Sequence, residues 1–237
     1  MPVSSLKNLE TLEKDLGYSF KDRELLIEAL THRSYHHENP DRAPSYNERL
    51  EFIGDSVLGL VVVEYLFRYS KDFSESEMSQ IKSHIVRGSL LYDIAAGITL
   101  GAHVRLGRGE EETGGRAKKS ILANAMEAVF GAVYLDGGYE AARNSVLHLF
   151  RERILTVISS GQYRDFKTEL QEKSQLHFGA LPEYRIVSQE GEEHRKTFTA
   201  DVYIAGEMFG RGKGKNKKEA QTAAAKEAME RLKSEGK

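Results

Sequence analysis

The stretch NERLEFIGDSVLGL at 47–60 decides how the first two thirds of the chain fold. At roughly 100° per residue, Glu48, Glu51 and Asp55 fall within an arc of about 60° on one helix. The opposite side carries Leu50, Ile53 and Val57, so the helix is anchored in a core while it presents three carboxylates. Carboxylates placed together repel one another, so each must raise its pKa or find a cation. Hard oxygen ligands suit Mg²⁺ better than a softer metal. A solvated acidic stripe is the plain alternative for three acids taken alone.

A second segment, ILANAMEAVFGAVYLD at 121–136, bears on that choice. Asn124 and Glu127 lie three apart on a face shared with Ala128 and Gly131, whose small size lets another helix or a ligand approach. The rest of the segment is apolar, so Glu127 is expected to be buried or half-buried. An ionised carboxylate there is costly unless paired or metal-bound. An ordinary surface acid on an amphipathic helix is the competing reading.

Working outward, residues 5 to about 157 read as helices nearly throughout, with apolar residues at three- and four-residue spacing in LKNLETLEKDL, RELLIEAL and the two segments above. Two polar stretches, HHENPDRAPSYN at 36–47 and GRGEEETGGR at 107–116, are expected to be surface loops. The 237 residues contain no cysteine, which removes disulfides, thiolate zinc sites and a cysteine nucleophile together. No basic segment followed by an apolar run opens the sequence, and the longest apolar run, Val57 to Val63, is too short for a bilayer. A cytoplasmic location and no membrane partner are the expectations.

The formal net charge of −2 hides a split. Residues 1–162 carry 19 Lys and Arg against 23 Asp and Glu, whereas residues 163–237 carry 15 against 13. Five of those 15 basic residues fall in RGKGKNKK at 211–218, with no acid among them. The periodicity changes too. After ISSGQYR at 158–164, the expected linker, a helix reads from Phe166 to about Phe178. Alternating runs EYRIVSQE, KTFTADVYIA and EMFGRGKG follow as three antiparallel strands. An alanine-rich helix from Asn216 to about Leu232 closes the chain, with Asn216 a suitable N-cap.

NERLEFIGDSVL at 47–58 closely resembles the signature of the ribonuclease III family, and ILANAMEAVFGAVYLDGG at 121–138 resembles its second acidic motif. ALTHRS at 29–34 and LGRGEEETGG at 106–115 fit the same pattern in the same order. The resemblance implies that Glu51, Asp55, Asn124 and Glu127 are metal ligands and that Asp55, Glu127 and Glu48 are catalytic, Asp55 and Glu127 most critically. It also places Glu48 near the scissile strand, Glu75 as a further acid beside the site, and Phe52 as a side chain inserted into a partner subunit. Many members have aspartate where this chain has Asn124. Asparagine keeps a ligating oxygen but loses one negative charge.

The C-terminal segment resembles a double-stranded RNA-binding domain. Gln171, Glu172 and Gln175 could meet ribose 2′-hydroxyls, and His194 a minor groove. Lys213, Lys215, Asn216, Lys217 and Lys218 surround a helix N-terminus, where backbone N–H groups favour phosphate. Such a module reads A-form shape over about 16 base pairs. The expected architecture is an all-α endonuclease domain at 1–157, a linker at 158–164 and a small α+β (α-β-β-β-α) RNA-binding domain at 165–237. The expected activity is hydrolysis of double-stranded RNA to 5′-phosphate and 3′-hydroxyl ends, in processing of ribosomal RNA precursors and other structured transcripts. One or two Mg²⁺ per site are expected, with Mn²⁺ able to substitute and no small-molecule cofactor. A C2 homodimer would supply two sites for two strands. A non-cleaving double-stranded RNA-binding regulator, silenced at Asn124, stays open as the alternative.

Overall fold

The computed structural model describes residues 9–161, 163–191 and 196–235. The chain divides into two compact units, Met1–Tyr163 and Arg164–Lys237.

The first unit is all helical: α1 (Leu9–Leu16), α2 (Arg23–Ala29), α3 (Arg33–Glu38), α4 (Glu48–Tyr69), α5 (Glu75–Ile85), α6 (Gly88–Gly97), α7 (Arg108–Glu112) and α8 (Lys119–Ser160). Starts are set by local chemistry. Asp22 accepts the Glu24 N–H at the head of α2, and Ser74 and Glu77 form a reciprocal capping box on α5. The axis of the unit is α8, whose Ala125, Met126, Val129, Phe130 and Val133 are buried. It bends where Gly138 takes φ +77°. Just before that point Asp136 accepts the Tyr18 hydroxyl at 2.7 Å and the N–H groups of Lys21 and Asp22 at 2.9 Å each.

Helix α4 crosses α8 at backbone contact. A Cβ on Gly54 would stand 1.8 Å from the Glu127 carbonyl oxygen, and one on Gly131 would stand 2.2 Å from that of Leu50. Only hydrogen in place of a side chain at both positions permits this approach. Above the crossing, Leu58, Val62 and Leu66 of α4 are buried in one core with Phe130 and Phe150, whose rings meet edge to face.

Two expectations are corrected here. The polar stretch 36–47 is not all loop, because α3 runs through Glu38, and 107–116 contains α7 and the start of a 3-10 turn at Gly115–Ala117. These short helices are held by tertiary bonds: Ser34 Oγ accepts from the Gly107 N–H, Glu38 from the Arg108 N–H, and Arg116 clamps the carbonyls of Gly101 and Val104. The last turn of α8 reaches Ser160, three residues into the stretch expected as linker.

The second unit has the order helix, three strands, helix: α9 (Phe166–Phe178), β1 (Glu183–Glu190), β2 (Thr197–Ile204), β3 (Glu207–Gly214) and α10 (Lys217–Ser234). The sheet is antiparallel in the order β1-β2-β3. Its inner face, with Ala200, Val202, Ile204 and Phe209, packs on Leu170 of α9 and the alanine face of α10. On β3 the inward positions Gly210, Gly212 and Gly214 lie directly against the backbone of α10. Among the described residues no helix is long and apolar enough to cross a membrane.

Candidate active site and RNA-binding face

The helix crossing brings two groups of side chains together. From α4 come Glu48 and Asp55, both exposed, and Glu51, half-buried; from α8 come Asn124 and Glu127, both half-buried. Their electrostatics show that they share one space. Burial pushes the Glu127 carboxyl up to about 7, and the negative charges of Asp55 and Glu51 push in the same direction. Burial also raises Glu51; a hydrogen bond with Asn124 opposes the rise, and Glu48 and Asp55 add to it. Glu48 is flanked on its outer side by Arg33, with a guanidinium nitrogen 3.7 Å from its carboxylate.

Within this group the carboxylates of Glu51, Asp55 and Glu127 and the amide oxygen of Asn124 form an all-oxygen donor set, which fits a hard divalent cation. Uncompensated charge on a half-buried glutamate is the condition a cation relieves. Among the described residues no three acidic or histidine side chains are drawn into a ready-made cage.

Glu75 is exposed in the first turn of α5. Phe52 is 80% exposed on α4. Leu60, Val63 and Phe67 (70% exposed) fall with it inside an arc of about 80°. The sequence reading missed these three. The run VLGLVVV is apolar on all sides, which by itself signals a buried helix rather than one with an outward stripe.

In the second unit, Gln171, Glu172 and Gln175 are exposed and line a shallow cleft with Leu176 and Leu181. Lys213, Lys215, Lys217 and Lys218 are exposed as well. Asn216 serves first as the cap of α10: its Oδ1 accepts the Glu219 N–H at 2.9 Å and its amide donates to the Glu219 carboxylate at 2.7 Å. His194 lies outside the described residues. One bond missed by the sequence joins the two groups. Lys167 Nζ donates to Gln221 Oε1 at 2.9 Å. Lys167, Gln171 and Gln175 follow at four-residue spacing along α9, and Gln221 sits one turn past Lys217 and Lys218 on α10, so both sets belong to one face.

Comparison with known proteins agrees with both halves. A ribonuclease-III-like family matches residues 22–154, and the double-stranded RNA binding motif matches residues 166–232. A Ribonuclease 3 from Caldanaerobacter subterraneus is 48% identical over 225 residues, covering 94% of this chain and 98% of that protein. One from Geobacter sulfurreducens is 44% identical, covering 94% and 90%. The solved nuclease domain of ribonuclease III from Campylobacter jejuni is 41% identical with a TM-score of 0.57, covering 61% of this chain and 97% of that one. Acids on crossing helices, followed by a module for duplex RNA, define an endoribonuclease that acts on double-stranded RNA. The chain belongs to the ribonuclease III family. That family is metal-dependent.

Proposed function

We propose that the protein hydrolyses phosphodiester bonds of double-stranded RNA with Mg²⁺, leaving 5′-phosphate and 3′-hydroxyl ends. Glu51, Asp55, Asn124 and Glu127 would hold one or two ions, with Mn²⁺ able to replace Mg²⁺. When bound, the ion supplies charge neutralisation for the scissile phosphate and makes water more acidic. The protein's own part is placement. The Gly54–Gly131 crossing sets the spacing between the α4 and α8 carboxylates, and Asn124 orients Glu51. Asp55 and Glu127 are the catalytic carboxylates, and Glu48 faces the strand being cut. The observation that carries this reading is Glu127, a half-buried acid whose pKa is driven to about 7 by burial and by Asp55 and Glu51.

Gln171, Glu172, Gln175, Lys213, Lys215, Asn216, Lys217, Lys218 and His194 are assigned to gripping the duplex. Two sites for two strands require a pair of subunits, and the Phe52–Phe67 stripe offers the surface. The structure of the Campylobacter jejuni nuclease domain is described with a region involved in dimer formation, which supports the same arrangement here. The nuclease domain runs through the end of α8 at Ser160, and residues 165–237 form the RNA-binding domain. A cytoplasmic enzyme processing ribosomal RNA precursors and other structured transcripts is the corresponding role. The test is end-labelled duplex RNA incubated with the protein in Mg²⁺ or in chelator. Cutting in Mg²⁺ alone, abolished by Glu127→Gln, is expected; equal cutting in chelator overturns the metal assignment.

A further inference from the structure

We propose that Arg33 is an RNA-binding residue of the nuclease unit, trading its ion pair with Glu48 for a backbone phosphate of the duplex beside the acidic site. The inference rests on the duplex-cutting reading above and adds a contact that the second unit does not supply.

A polyanion that must lie against Glu48, Glu51, Asp55 and Glu127 meets repulsion at the place where it is to be cut. Cations at the rim of that group offset it. Most charged side chains nearby are already engaged. Arg116 is tied to Glu111 and backbone carbonyls, Lys118 to Glu110, and Arg105 to Thr31 and the Tyr35 ring. Arg33 is not. Its side chain is 65% exposed, that of its partner Glu48 is 50% exposed, and their 3.7 Å separation exceeds a hydrogen bond. Among the described residues it makes no hydrogen bond, so its five N–H donors are unspent. A pair this exposed adds little to stability.

The backbone beneath Arg33 is nevertheless rigid. Thr31 is buried, its hydroxyl donates to the Ile27 carbonyl at 2.7 Å, and its own carbonyl accepts the Asn47 N–H at 3.0 Å. The His32 N–H donates to the Arg105 carbonyl at 3.1 Å. The bond from Asn47 fixes the start of α3 against the start of α4, one residue before Glu48. A rigidly presented, exposed and unspent guanidinium at the edge of an anionic site is the arrangement that bidentate phosphate recognition uses.

The test is a gel shift with labelled duplex RNA on the full chain carrying Glu127→Gln, so that binding is read without cutting. Adding Arg33→Gln should raise Kd about 3- to 10-fold and reduce the slope of log affinity against log salt by about one unit. Arg33→Lys should keep most of the slope. Lys217→Ala with Lys218→Ala is the control and should also lower it. If the control responds while Arg33→Gln leaves affinity and slope unchanged, Arg33 is only a neighbour of Glu48 and the proposal fails. If neither responds, the duplex-binding reading beneath it fails as well.

Discussion

Replacing Gly54 with alanine adds one methyl group at the point where two helix backbones touch. The new Cβ would stand 1.8 Å from the carbonyl oxygen of Glu127. An ordinary contact needs about 3.4 Å, so α4 and α8 must separate by roughly 1.5 Å. The obstacle is backbone, which cannot swing aside as a side chain would. Overpacking of this kind costs about 1–3 kcal/mol. In a unit of this size, that lowers the melting temperature by roughly 2–12 °C. The same displacement moves Glu51 and Asp55 away from Asn124 and Glu127, and a misplacement of about 1 Å can cost 100-fold in rate. The expected result is a folded protein with reduced melting temperature whose single-turnover cutting of duplex RNA in saturating Mg²⁺ falls at least about 100-fold. Gly59→Ala is the matched control on the same helix. There the added Cβ meets only the flexible end of Lys82, at 3.3 Å. It should leave the rate intact and gain up to about 1 kcal/mol of helix propensity. A Gly54→Ala protein that melts and cuts like the parent would refute the idea that this crossing sets the carboxylate spacing.

Three further outcomes are expected. Glu127→Gln should abolish cutting yet leave gel-shift affinity for duplex RNA nearly intact. It should also change how stability depends on pH in chelator: with its pKa raised from 4.5 to about 7 in the folded state, Glu127 contributes stability present below pH 4.5 and lost as pH rises through 7, and urea titrations of the glutamine variant should lack that loss. Asn124→Asp should lower the Mg²⁺ needed for half-maximal cutting about tenfold, with a similar rate at saturation; an Asn124 form inert at every Mg²⁺ concentration, beside an active Asp form, would point to a metal site disabled by the missing charge. Phe52→Asp should shift sedimentation toward a smaller species at micromolar concentration, because it buries an unpaired charge at the proposed interface; unchanged sedimentation of a dimeric parent would place the interface elsewhere.

The site on α4 was legible because helical periodicity alone puts Glu48, Glu51 and Asp55 on one arc, and the strands because alternation over 183–214 is clean. What periodicity cannot carry is the partner of each face. Gly54 and Gly131 lie 77 positions apart, and each looks like a mild helix weakness until they are seen against one another. The outward stripe of Leu60, Val63 and Phe67 was hidden for the opposite reason: the run VLGLVVV of α4 is apolar on all sides, and no contrast marks which part stays uncovered. Helix α7 was taken for loop because RGEEE has no apolar periodicity and five residues are too few to hold a helix alone; bonds to Glu38 and Ser34 hold it in place.

Strand β3 alternates glycine with cation: Gly210, Gly212 and Gly214 face α10, while Arg211 and Lys213 face away. With no side chain between them, strand and helix have no soft layer to compress, and an inward methyl group would lift α10 bodily. The backbones that carry Lys213 on the strand and Lys217 and Lys218 on the helix therefore keep a fixed separation. A surface of that kind works as a gauge with flexible tips: on the reading proposed above, a duplex is met at a spacing set by backbone, and only the lysine stems adjust to its phosphates.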